Sequence, residues 1–285
     1  MNPFRRGLIL ALLFAVTAVA VAQWGGRRRD RGYYDNIRTA REVPSNSTGT
    51  PIWENPPAFK ADTFTFARIR YDRGGWGYGR GGWATDLPDS DLNLSYRLQQ
   101  MTSMRVDPDG RVIRLTDPEL ADFPFIYIVE PGGLSFSEEE AIALRAYLLN
   151  GGFIMFDDFW GEDEWENLET EMKAVFRDRE FFELPLTHEL YQRPFLIKEK
   201  GQVPAVDQGI ASEFGAPTWE RYDAQEVHHR GIVDDQGRLI VLATHNTDNG
   251  DGWEREGESD YYFHNFSEKI AYPLGINTLF YVMTH

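Results

Sequence analysis

The chain has 285 residues, 42% of them hydrophobic and 14% aromatic, enough to bury one sizeable core as a single main domain. Its formal charge of -16 repels phosphate backbones and anionic lipid, which excludes nucleic acid as an expected partner. It contains no cysteine, so disulfides, thiolate ligands and cysteine nucleophiles are excluded, and stability must come from the core.

The N-terminus reads as a leader for export to the periplasm or beyond the cell. Arg5-Arg6 precede an apolar run from Gly7 to Val19, and Ala20-Val21-Ala22 forms an A-x-A cleavage site, giving a signal peptide over 1–22. After cleavage no membrane span remains; an uncleaved anchor is the alternative, although the run is shorter than the roughly 20 residues of a spanning helix. Residues 23–61 carry the basic run Arg27 to Arg31 and the polar stretch Pro44 to Pro51 without periodicity, as a flexible linker or loosely docked arm does.

A single domain is expected over 62–285. Phe64 to Tyr71 alternates like a first strand, and Arg73 to Trp83 mixes glycine with aromatics and arginine. That stretch lacks phosphate-cradle spacing and reads as a loop at the strand's carboxyl end, with Trp76 and Trp83 as candidate ligand contacts. A helix is expected over Asp91 to about Met101. Asp107-Pro108-Asp109-Gly110, between Met104-Arg105-Val106 and Val112-Ile113-Arg114, signals a hairpin or tight turn.

Phe125 to Val129 is a continuous apolar run, as a strand covered on both faces is, and it ends in Glu130-Pro131-Gly132-Gly133. Ser137 and Glu140 form a capping box opening a helix that Asn150-Gly151-Gly152 closes. The chain re-enters the sheet at Phe153. Strand, helix and strand in this order make a βαβ crossover, hence an α/β fold with a mainly parallel sheet. Phe153 to Phe156 then runs into the acidic turn Asp157-Asp158-Phe159-Trp160-Gly161, and an amphipathic helix follows over Asp163 to about Arg177. Later come a proline-bounded loop around His188, a hairpin signal at Val233 to Arg238, the strand Leu239 to Ala243, the polar loop Thr244 to Glu254 and a last helix from about Pro273.

Taken together, Phe125 to Glu130, the helix Leu144 to Leu148 running into Gly151-Gly152-Phe153, Asp157-Asp158, Pro185-Leu186-Thr187-His188, Asn246 to Asp251, Leu274 to Asn277 and Tyr281 to His285 resemble one exported bacterial family, catalogued as domain of unknown function 4159. That family resembles the class I glutamine amidotransferases, which implies a flavodoxin-like three-layer α/β/α sandwich. In active amidotransferases a cysteine stands at the elbow after the strand matching Phe153 to Phe156. Here Asp157 and Asp158 are nearest to that place, so cysteine-based glutamine hydrolysis is excluded.

Asp157 and Asp158 are the first candidates for chemistry, either as oxygen ligands of a divalent metal or as a base and nucleophile pair, with His188 as a third member. Their plain alternative is capping of the following helix. Asp158, Phe159, Trp160, Gly132 and Gly133 are placed to contact a ligand at the strand ends. Asp248 and Asp251, in a loop of calcium-site composition without EF-hand spacing, extend the metal candidates. His245 could add a nitrogen ligand, and adjacent His228 and His229 would face opposite sides of a strand. Ser135 and Ser137 lack a nucleophile elbow. The resulting expectation is a non-catalytic domain that binds a small ligand or an envelope protein, with a metal-dependent hydrolase using Asp157, Asp158 and His188, or a structural envelope module, as alternatives.

Overall fold

The computed structural model describes residues 34–47, 49–72 and 82–285. The leader, the basic run at Arg27 to Arg31 and Trp76 lie outside the described residues. The chain divides into two units, Met1–Ile37 and Arg38–His285, and the sheet belongs wholly to the second. Within that unit residues 38–62 are tied to the body: Arg41 Nε donates to Pro108 O (2.9 Å) and the Trp53 indole to Val106 O (2.7 Å).

The first extended segment forms two short strands, β1 (Thr63–Phe64) and β2 (Ala67–Ile69), followed by helix α1 (Asp89–Met101). Next come β3 (Arg105–Val106) and β4 (Arg111–Ile113). These two do not form a hairpin with each other. β3 pairs in parallel with β1 and β4 in parallel with β2. The turn between them has the expected chemistry, with Asp109 N donating to Asp107 Oδ1 (2.9 Å) and Gly110 at a φ of 63°. Turn residues set the bend, but burial of Val106, Val112 and Ile113 against the sheet decides the partner.

The βαβ crossover is present as β5 (Phe125–Val129), α2 (Glu138–Leu149) and β6 (Phe153–Phe159). Its capping box closes both ways, Glu140 N to Ser137 Oγ (3.2 Å) and Ser137 N to Glu140 Oε2 (2.9 Å). Gly152 is required by close approach, since a Cβ there would lie 2.3 Å from the Tyr147 ring. Helix α3 (Gly161–Val175), β7 (Phe182–Glu183) and α4 (Val206–Ser212) follow. Then β8 (His228–Val233) and β9 (Leu239–His245) form the hairpin expected at Val233 to Arg238. The chain closes with α5 (Asn249–Glu254), α6 (Asp260–Tyr262), a π-helix over Phe263–Ala271 and α7 (Tyr272–Thr284).

Seven strands form one sheet in the order β4-β2-β5-β6-β9-β8-β7. The run from β4 to β9 is parallel throughout, and β8 lies antiparallel to both β9 and β7. Strand alternation sends Phe125, Tyr127, Phe153 and Met155 to one face, where they pack with α1, Trp253 of α5 and α7. Ile126, Ile128, Ile154 and Phe156 go to the other face, against Leu144 and Leu148 of α2 and Leu168 and Met172 of α3. The fold is thus α/β, with a mostly parallel sheet covered by helices. Among the described residues no helix is long and apolar enough to cross a membrane.

Candidate functional site

The carboxyl ends of the central strands concentrate unusual backbone. Among the described residues the non-glycine positions with positive φ are Asp86 (62°), Glu130 (50°), Asp158 (55°) and Asn246 (64°). Glu130 follows β5, Asp158 sits near the end of β6, and Asn246 follows β9, so three neighbouring strands end in left-handed residues. Each costs on the order of 1 kcal/mol and persists only where surrounding structure fixes it. At β6 the cause is a bulge: the pairing passes from Phe156↔Ala243 to Phe159↔His245, leaving one extra residue on β6. The bulge keeps Phe156 and Phe159 on the same side of the sheet and frees the Asp158 side chain from the alternation.

Asp157 is fully buried and committed. Its Oδ2 accepts from Tyr127 Oη (3.0 Å) and Gly250 N (2.9 Å), and its Oδ1 accepts from Asn249 Nδ2 (2.7 Å) and lies 2.5 Å from Thr244 Oγ1. Burial raises its pKa, against the pull of these hydrogen bonds. The capping alternative holds for Asp157 in an unexpected form, because the helix whose amides it meets is α5, over ninety residues on, rather than α3. The α3 terminus is capped from elsewhere, Gly161 N donating to Asn246 Oδ1 (2.9 Å) and Glu162 N to Asp223 Oδ2 (3.1 Å).

Asp158 turns the other way. Its Oδ1 accepts from the Trp160 indole (2.9 Å), and its carboxylate joins those of Asp86 and Asp248 with ligand oxygens all within 4.8 Å of one another. A second group, Asp86, Asp251 and Glu254, meets the same limit. Burial first, then the charges of Asp251, Asp158 and Glu254, raises the Asp86 pKa. Burial first, then Glu130 and Glu220, does the same for Asp158, and burial with Asp158 and Asp251 for Asp248. Burial carries Glu254 up to about 7, although Arg255 opposes the shift. Asp86 Oδ2 is sealed from solvent without a hydrogen-bond partner among the described residues.

What places Asp86 there is Arg68 of β2, whose side chain is fully buried. Its guanidinium holds Asp91 through Nε (3.1 and 3.0 Å) and donates to Trp83 O (3.0 Å), Thr85 O (2.8 Å) and Ser90 Oγ (2.8 Å). The segment carrying Asp86 is thereby clamped over the end of β2, and Gly250 makes room, since a Cβ there would lie 2.2 Å from Asp86 Oδ2. The sequence reading missed Asp86. Its available signal was Asp86-Leu87-Pro88-Asp89-Ser90-Asp91, acids packed around a proline just before a helix.

Of the metal candidates read from the sequence, Asp158, Asp248 and Asp251 meet at this crest, with Asp157 bound beneath them. His188 does not join them. Its Nδ1 accepts from Leu190 N (3.2 Å), and its ring lies 5.5 Å from that of Tyr281, whose hydroxyl accepts from Leu239 N at the opposite, amino end of β9. Phe159 is core, stacked on His245 at 4.9 Å, and Trp160 is buried with its indole on Asp158. A Cβ on Gly132 would meet Glu164 at 2.4 Å, and Gly133 closes the same short turn, Pro131–Gly133. Trp83 packs under Arg70, 5.6 Å from its guanidinium. His228 and His229 do face opposite sides, towards His245 and Tyr191 respectively, and His245 spends its nitrogens on Gly161 O and Arg230. A groove of about 600 Å³ lies at the amino ends of the strands around Phe123, Pro124 and Gly151, away from the carboxylates.

The crest therefore offers an oxygen-only donor set of crowded carboxylates, which suits Ca²⁺, Mg²⁺ or Mn²⁺ rather than thiophilic metals. No curated protein matches the chain. The profile of the family described as "Domain of unknown function (DUF4159)" matches residues 65–283, and the chain belongs to that family.

Proposed function

We propose that this domain binds a divalent cation through Asp86, Asp158 and Asp248 and uses the ion to hold an anionic small ligand or partner protein at the crest of the sheet. The observation that carries it is the convergence of these three carboxylates within 4.8 Å, with Asp86 Oδ2 buried and unpartnered. An ion with oxygen ligands at 2.0–2.6 Å fits between atoms spaced that closely, and it removes the repulsion that burial makes costly. Binding is favoured over hydrolysis, since Asp157 is saturated by hydrogen bonds and His188 sits at the far edge.

The strand order supports the finer fold reading. β4-β2-β5-β6-β9 repeats, in order of appearance, the 2-1-3-4-5 arrangement of flavodoxin-like three-layer sandwiches. In such sheets ligands bind beyond the carboxyl ends at the switch point, here between β2 and β5, where Asp86 and Glu130 stand. Kinship with class I amidotransferases rests on that order and on the acidic bulge at the elbow position. The leader read over 1–22 supports export, and of the arm read over 23–61 residues 38–61 are docked on the domain; outside the cytoplasm Ca²⁺ is the abundant hard cation.

Thermal unfolding in EDTA and in millimolar Ca²⁺, Mg²⁺ or Mn²⁺ tests the reading. At least one ion is expected to raise Tm by several degrees, and Asp158→Asn to abolish the rise. A wild-type Tm indifferent to all three ions sinks it.

A further inference from the structure

We infer that the crest holds a second divalent cation, ligated by Asp86, Asp251 and Glu254 and bridged to the first through the Asp86 carboxylate. This inference rests on the single-ion reading and adds a site to it. Asp86 is the member common to both carboxylate groups, and in each group the ligand oxygens lie within 4.8 Å of one another. One carboxylate has two oxygens, so it can serve two ions at once, as bridging carboxylates do in two-ion centres.

The orphaned Asp86 Oδ2 is an acceptor sealed from water with nothing to accept from among the described residues, which a cation at this place would satisfy. Asp251 and Glu254 are 8% and 5% exposed, so their charges are not left to solvent. The local cation is Arg255, with Nε 2.7 Å from Glu254 Oε2 and 3.7 Å from Asp251 Oδ1, while its Nη1 is drawn towards Glu258 at 2.8 Å. Arg68 is spent on Asp91. Arg255 is thus shared among Asp251, Glu254 and Glu258, and Glu130 and Glu220 add to the repulsion on Asp158. A guanidinium divided three ways leaves the second carboxylate group crowded, and a cation between its oxygens would relieve that crowding.

Mn²⁺ alone serves as the probe, on the full chain stripped with EDTA and dialysed, with bound metal counted and its EPR spectrum recorded at low temperature. The expected result is two Mn²⁺ per chain with the multiline signal of an exchange-coupled pair. Glu254→Gln, and independently Asp251→Asn, should leave one Mn²⁺ with an uncoupled six-line signal; circular dichroism confirms that each variant is folded. One uncoupled Mn²⁺ in the wild type overturns the second ion and leaves the first standing, as expected if Arg255 alone compensates Asp251 and Glu254. No bound Mn²⁺ overturns both, two uncoupled ions overturn the bridge, and two ions retained in both variants overturn the ligand assignment.

Discussion

The two edges of the same sheet are built on opposite terms. At the amino edge the chain enters its strands through Pro124 and Gly152, and Tyr147 Oη donates to Phe123 O (2.8 Å). At the carboxyl edge the strands leave through Glu130, Asp158 and Asn246, side chains kept in left-handed backbone where glycine would cost nothing. Repulsion among buried carboxylates adds to that cost. The contrast teaches that one edge is arranged for stability and the other for something that stability alone does not explain.

The sharpest way to break this comparison uses the adjacent aspartates. Asp157→Ala strips the acceptor from Tyr127, Asn249 and Gly250 and should cost about 3 kcal/mol in urea unfolding with or without cation. Asp158→Asn keeps a residue tolerant of positive φ and removes a repelled charge. It should stabilise the cation-free protein by about 1 kcal/mol while removing the response to cation. If Asp158→Asn destabilises the cation-free protein as much as Asp157→Ala does, the two positions do not differ in kind.

At the amino edge, Tyr147→Phe should lose about 1 kcal/mol and leave the cation response unchanged. Gly250→Ala pushes on Asp86 and should weaken cation affinity roughly tenfold, read by calorimetry, with the sheet intact.

The pH dependence has a definite sign. The Glu254 carboxyl rises from 4.5 to about 7, and Asp86, Asp158 and Asp248 also rise, so the folded protein holds protons that the unfolded chain has released. The Glu254 contribution is full below about pH 4.5 and is lost as pH climbs through 7. Saturating cation replaces those protons, so the slope of Tm against pH over that window should flatten. An equal slope with and without cation would count against an ion among these carboxylates.

Much of the fold was readable because it is local. The Ser137 and Glu140 box, the apolar runs at Phe125 and Phe153 and the Val233 to Arg238 turn each declare themselves within a few residues. The pairing of β3 and β4 was not, since turn chemistry is silent about which edge buries Val106 and Ile113. The site was half legible for the same reason. Asp158, Asp248 and Asp251 stood in visibly acidic turns, whereas Asp86 reaches them only through the Arg68 clamp and a left-handed backbone. The role of Asp157 depends on amides over ninety residues away, and the distance of His188 from the turn depends on which end of β9 its loop meets.

The position of Asp157 also ties the docking of one segment to the register of the sheet. Its partners Tyr127, Thr244 and Gly250 come from β5, from β9 and from the helix after β9, and the aspartate itself from β6. The native seat of the 248–254 segment therefore exists only where three neighbouring strands are in register. If the crest carboxylates meet late in folding, Asp158→Asn should slow unfolding while leaving the folding rate nearly unchanged, which a denaturant chevron of the variant against the wild type tests.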